Sequence, residues 1–317
     1  MKNSLLLLLF PLIGISQPTM QKIERLIEQQ KLSEAETLAV AYNNQNPLDL
    51  LTIELLGDVF GHQKKWDKAI IQYKKLVDTE KLNANYQFKY GGVLGMKALT
   101  VNKFKALPII NQAKTAFLTA ANLDSTHIEV RWALVKLYME LPGIVGGSKR
   151  KSLIYAQELE SLSKVDGFLA KAYINEYDKK LSVAEFYYQK AVEVGGSPHC
   201  YDKLISFYLS LDEFNNAILT IEDAYRKHQQ NDLMYQLGEL SSIHKVELNK
   251  GELCIKKFID NYSNEDVIPV EWAYLRLAQI QKHNDNIPDA LENINRALLI
   301  RSDFKEAKKE RALILSL

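Results

Sequence analysis

The sequence predicts an all-α protein assembled from stacked helix pairs. Three observations carry that reading. After residue 17, apolar residues recur at spacings of three and four, with no sustained alternation of the kind a half-buried strand needs. Turn signals interrupt the pattern about every fifteen residues. Small residues at which paired helices would cross recur at positions 35, 69, 113, 152, 184, 217, 254 and 290, separated by 34, 44, 39, 32, 33, 37 and 36 residues.

Taken in chain order, the first element is a leader. Lys2 precedes a largely apolar run over residues 5–15, and Gly14 and Ser16 supply the small residues a signal peptidase needs. Residues 1–16 are therefore expected to be a signal peptide and Gln17 the new N-terminus. The apolar run is too short to cross a bilayer, and no later segment is apolar enough to do so. The expectation is an exported mature chain, periplasmic or secreted, without a membrane span.

The clearest repeat follows at residues 55–80. Leu56-Gly57 leads to Phe60, then to Ala69, Tyr73 and Leu76. The same frame returns as Phe168, Ala172, Ala184, Tyr188 and Ala191, as Tyr201, Leu204, Tyr208, Ala217, Ile221 and Ala224, and as Tyr274, Leu277, Ala278, Ala290, Ile294 and Ala297. Weaker copies sit at Ala35, at Ala113-Phe117-Ala120, at Ser152-Ala156-Leu159 and at Cys254-Phe258. This layout resembles the tetratricopeptide repeat (TPR), a pair of antiparallel helices of about 34 residues in which small residues sit where the helices cross. The resemblance to exported bacterial members of that family implies a right-handed superhelical solenoid of about eight helix pairs over residues 17–302. Residues 303–317, with Phe304, Ala307, Leu313 and Ile314 apolar, read as the solvating end helix that such an array requires.

Two separations exceed the family period, by about ten residues around 90–110 and by about five within Leu141-Pro-Gly-Ile-Val-Gly-Gly-Ser-Lys-Arg-Lys-Ser152. Both are expected to lengthen the loop between the two helices of their own repeat. In the second, Pro142 and Gly143 stop a helix, Gly146 and Gly147 allow a tight reversal with positive φ, and Ser148 caps the next helix. The rival reading is an anion or glycan-fragment site at Gly146, Gly147, Ser148, Lys149 and Arg150, built on free N–H groups at a helix start. A phosphate-binding loop of the nucleotide-hydrolysing kind is excluded. Counted from Gly143, Ser148 stands where the second glycine belongs, and no strand precedes it.

Forty basic and 39 acidic residues give no global reason to bind nucleic acid. Cys200 and Cys254 fall in amphipathic patterns and read as small buried hydrophobes, although an oxidising destination would permit pairing. The six histidines form no helix-borne metal pair, and no nucleophile or dinucleotide motif is present. Neither cofactor, metal nor catalytic residue is expected, and the chain reads as a binding scaffold rather than an enzyme. The family resemblance implies a groove lined by the first helix of each repeat and a protein or peptide partner. In this sequence the matching positions are Tyr86, Lys89 and Lys97, then Trp132 and Lys136, Tyr173 and Tyr177, and Trp272 and Gln279; core packing between repeats is the equal alternative for Trp132, Tyr173 and Trp272. The Lys and Asn set by which some relatives grip a peptide C-terminus is not found. The oligomeric state is not set by the sequence.

Overall fold

The computed structural model of the protein describes residues 16–317, with side chains from residue 19 onward. The signal read over residues 1–16 lies, but for Ser16, outside the described residues. Among those residues there are seventeen α-helices and no strand. By packing, the chain divides into two compact units, the first ending at Ser163 and the second running Lys164–Leu317. In the first, α1 (Ser16–Glu28) packs on α2 (Leu32–Gln45), α3 (Leu50–His62) on α4 (Trp66–Thr79), α5 (Ala84–Ala98) on α6 (Lys103–Leu123), and α7 (Ile128–Glu140) on α8 (Lys149–Leu162). In the second, α9 (Lys164–Tyr177) pairs with α10 (Leu181–Val194), α11 (Pro198–Ser210) with α12 (Phe214–His228), α13 (Asn231–His244) with α14 (Leu248–Asp260), and α15 (Val270–His283) with α16 (Ile287–Ile300). A last helix, α17 (Lys305–Leu315), buries Phe304, Ala307 and Ile314 against Leu275, Ala278 and Ile294.

Five of the turns inside pairs share one backbone device. Gln30, Lys64, Lys179, Asp212 and Asp285 take φ between +57° and +59°. The N–H of the following residue then reaches back five positions, as in Lys31 to Leu26, Lys65 to Phe60, Lys180 to Asn175, Glu213 to Tyr208 and Asn286 to Gln281. This is the Schellman closure, which ends a helix by satisfying carbonyls that would otherwise be orphaned. The same flanking residue starts the second helix. Its carbonyl accepts from the residue four further on, and in these pairs that residue is Ala35, Ala69, Ala184, Ala217 or Ala290, each fully buried at the crossing.

That register corrects the seventh repeat. Glu247 is the flanking residue there, and its carbonyl accepts from Gly251, not from Cys254. A Cβ built on Gly251 would lie 2.3 Å from Ser241 Cβ, and one on Gly238 would lie 2.2 Å from Ile255. Gly251 is thus the crossing residue, and Cys254 sits one turn beyond it. The spacings become 34 and 39 residues, and the extra length moves to the link between α14 and α15, residues 261–269. Leu237-Gly238 repeats Leu56-Gly57 and marks this register in the sequence.

The third repeat corrects a second expectation. Its surplus residues do not form a loop: α6 is 21 residues long, and Ala106, not the crossing residue Ala113, bonds the capping residue Asn102. Seven residues, two helical turns or about 10 Å, are inserted within the helix itself, Pro108 included. Alanines, lysines and leucines propagate a helix more readily than they form a loop. In the fourth repeat the surplus does form a connection, the elbow described below. Cys200 and Cys254 are buried free thiols.

Candidate functional site

Consecutive first helices adjoin one another, α1 with α3, α13 with α15 and α15 with α17. Their outward sides carry the residues singled out from the sequence, and the two units present different chemistry. In the first, Lys89 on α5 is held by two carboxylates of α3, 2.6 Å from Glu54 and 2.9 Å from Asp58. Burial works against its charge, but Asp58 and Glu54 outweigh burial and raise its pKa. Tyr73 donates to Asp58 and Asn85 donates to Glu54, which fixes the cluster. Lys97 pairs with Asp67 at 2.7 Å. Two of the three lysines expected in the groove, Lys89 and Lys97, are therefore neutralised within their own unit. Tyr86 is buried in the core and presents no surface. Trp132 is half-buried and Lys136, one turn further along α7, is exposed.

In the second unit, Tyr177 is exposed and its ring lies 6.3 Å from that of half-buried Tyr173. At the other end, Trp272 packs edge-on against Phe304 and carries the Arg276 guanidinium 5.7 Å over its ring. Arg276 reaches across to α13, 2.6 Å from Glu239, and donates to Gln279, which donates to Glu310 on α17. Lys282 pairs with the same Glu310, a side chain only 8% exposed. Tyr235 donates to Glu239, and its hydroxyl is pushed up to about 12, by burial first, with Glu239 adding and Arg276 opposing. A linked row thus crosses α13, α15 and α17. The structure places Trp272 and Gln279 in it, whereas Tyr235, Glu239, Arg276, Lys282 and Glu310 escaped the sequence reading. The misplaced frame of the seventh repeat hid the α13 residues, and ion pairing between repeats leaves no fixed sequence spacing.

Beside this row lies a cleft of about 360 Å³, bounded by Pro198 and Asp202 of α11, by Asp232, Leu233, Tyr235, Gln236 and Glu239 of α13, and by Ile268. The long link 261–269 supplies Ile268, and its Asp266 accepts from Asn231 and from the Ser263 N–H. One carboxylate oxygen of Asp232 is buried without a donor. Burial, and then the neighbouring Asp266, raise the Asp232 pKa. The cleft combines an apolar floor of Leu233, Tyr235 and Ile268 with a rim of carboxylates, of which Glu239 alone is paired to a base within the row.

His283, at the end of α15, has its pKa lowered by burial first and then by Lys282 and Lys245. Folding therefore favours the neutral ring. As the pH falls through the unfolded value near 6.5, the unfolded chain takes the proton first and stability declines until the lower folded pKa is passed. Urea melts between pH 7.5 and 5.5 are expected to show a downward slope that His283→Gln flattens; an unchanged slope would assign the titration elsewhere.

The glycine-rich stretch is an elbow between α7 and α8. A 3-10 turn spans Gly143–Val145, Gly146 takes φ +100°, and the Ser148 hydroxyl accepts from the Lys151 N–H. Gly146 alone needs the left-handed region. Gly147 is required for space instead, since a Cβ there would lie 1.7 Å from the Leu141 carbonyl oxygen. The N–H groups of Val145, Gly146, Gly147, Ser148, Lys151 and Ser152 all donate within the elbow. Of the five N–H groups from Gly146 to Arg150, the turn consumes those of Gly146, Gly147 and Ser148.

Among the described residues no group of His, Cys, Asp and Glu could hold a metal ion, and no helix is long and apolar enough to cross a membrane. No family model and no curated protein matches the chain. Among solved structures, a thermophilic TPR protein of Thermus thermophilus aligns with TM-score 0.51 and 15% identity, over 62% of this chain and 98% of its own. A TPR protein of Parabacteroides merdae aligns with TM-score 0.48 and 15% identity, over 83% of this chain and 98% of its own. YrrB, described as a TPR protein with an unusual peptide-binding site, aligns with TM-score 0.42 and 13% identity, over 62% and 98%. Identities this low speak to the fold alone.

Proposed function

The chain has the tetratricopeptide-repeat fold, and from that premise we propose that it is a non-enzymatic scaffold of the cell envelope that holds an extended segment of another protein. The leader read at residues 1–16 supports export. The cleft between α11 and α13 supports the site. Its size falls in the range of sites that bury a small ligand or a few side chains, about 300–1,000 Å³. An apolar floor with aromatic edges anchors a side chain, and the carboxylates of Asp202 and Asp232 select a basic neighbour. The row from Glu239 to Glu310 keeps one wall in place, because each long side chain is held by its neighbour and little freedom remains to be lost on binding.

The carrying observation is Asp232, a carboxylate with an oxygen left without a donor beside two others. That oxygen is itself buried, so an arginine or lysine from a partner meets the half-exposed remainder of the carboxylate. Two consequences are measurable by fluorescence anisotropy with short peptides that place Lys or Arg beside a Leu or Phe. Asp202→Asn/Asp232→Asn is expected to weaken binding at least tenfold, the scale of one lost charge-assisted contact at about 1.5–3 kcal/mol. Binding is also expected to strengthen as the pH rises through the raised pKa of Asp232, since the partner's cation needs the ionised form. Equal binding by parent and double variant would remove the cleft from the proposal.

A further inference from the structure

The two insertions that distinguish this array fall in adjacent repeats of the first unit and on the same edge, where first helices turn into second helices. α6 starts two turns early at that edge, and the elbow of 141–148 lies beside it, with Gly146 next to the Lys114 ammonium. Leu107 stands two turns from Lys114 on the same side of α6, so the overhang extends about 10 Å past the elbow contact. The projecting corners are apolar and bare: Leu99 is 78% exposed, Phe104 89% and Ile144 97%. Phe104 points away from the side that buries Ala106 and Ala113.

Within the two inserted segments the charge is of one sign, with Glu140 at the end of α7 as the nearest acid before the elbow. Residues 99–123 and 141–157 contain Lys103, Lys105, Lys114, Lys149, Arg150 and Lys151 and not one Asp or Glu, in a chain whose bases and acids total 40 and 39. Overall neutrality conceals a local segregation. Large apolar side chains standing at separate corners, rather than lining a groove, do not match a helical or extended peptide, which needs a shaped channel for its anchors. They match a deformable apolar phase bounded by negative charge. We propose that this edge docks the protein on an anionic membrane surface, with Phe104, Leu99 and Ile144 entering the boundary between headgroups and acyl chains and the bases meeting lipid phosphates. The proposal concerns the first unit alone and does not depend on what the cleft of the second unit binds.

The test is co-sedimentation of the full chain with vesicles of phosphatidylcholine, with and without phosphatidylglycerol. The part of the binding that the edge variants lose is expected only with the anionic lipid and is expected to fall with added salt. Lys149→Glu/Arg150→Glu should reduce it by at least tenfold, on a scale of about fivefold per base near such a surface. Phe104→Ser/Ile144→Ser should reduce it comparably, whereas Leu299→Ser, an equally bare apolar residue of the second unit, should not. All variants share the apolar run at residues 5–15, so any vesicle binding by that run cancels in the comparison, and all change exposed side chains, so folding is checked by circular dichroism. Equal binding by parent and both edge variants, an equally large loss by the edge variants on phosphatidylcholine alone, or no vesicle binding together with capture of an acidic amphipathic peptide that Phe104→Ser/Ile144→Ser abolishes, would each overturn the proposal.

Discussion

Gly147→Ala is expected to destabilise the first unit by about 3 kcal/mol or more, the upper end of what forced overpacking costs. The added methyl meets the Leu141 carbonyl oxygen at 1.7 Å, and its nearest neighbours are all backbone atoms of Leu141 and Pro142, which cannot step aside as a side chain could. Nearby glycines calibrate the claim. Gly143→Ala adds a methyl into open space and should stay within about 0.5 kcal/mol, the usual range for a surface change. Gly146→Ala adds strain at φ +100° and should fall between, at about 1–2 kcal/mol. Urea melts of the three variants read this directly. If Gly147→Ala and Gly143→Ala behave alike, the elbow is not built as described. The result also bears on function, because α8 and the bases at its start are set in place by this turn.

Gly251→Ala is expected to cost about 2–4 kcal/mol, and Cys254→Ala about 1 kcal/mol, the difference between forcing two helices apart and trimming one buried sulfur. Gly251 lies where α13 and α14 cross, and a methyl there lies 2.3 Å from Ser241 Cβ, an atom with no rotamer to escape into. Cys254, a residue 8% exposed, lies one turn away, with its thiol pKa raised by burial. Thermal melts that reverse this order would restore Cys254 as the crossing residue. Because α13 carries Asp232, Tyr235 and Glu239, the Gly251 variant should also weaken any peptide held by the cleft, and the Cys254 variant should not.

Much of the architecture was legible in residues that a helix crossing requires. Ala35, Ala69, Ala113, Ser152, Ala184, Ala217 and Ala290 were readable as crossing points, and each is fully buried. Ser152 shows why a polar residue serves: its hydroxyl donates to the Val135 carbonyl at 2.9 Å, so nothing is left unpaired. The turns were less legible. Five close on Gln, Lys or Asp in the left-handed region, where sequence reading looks for glycine. The surface face was least legible. Lys89 and Lys97 read as free charges, yet each meets carboxylates supplied by a neighbouring helix about thirty residues back.

The sequence by itself determined that helices form, that they pair, and where most pairs touch, because those properties depend on the size and polarity of residues at short, regular spacing. The tertiary structure decided which charges are spent and which remain. It closed Lys89 between Glu54 and Asp58, joined Glu239 to Arg276, and left Asp232 with an unpartnered oxygen. Charge pairing acts over a few ångströms in space at no fixed interval along the chain, so it becomes visible only once neighbouring repeats have stacked.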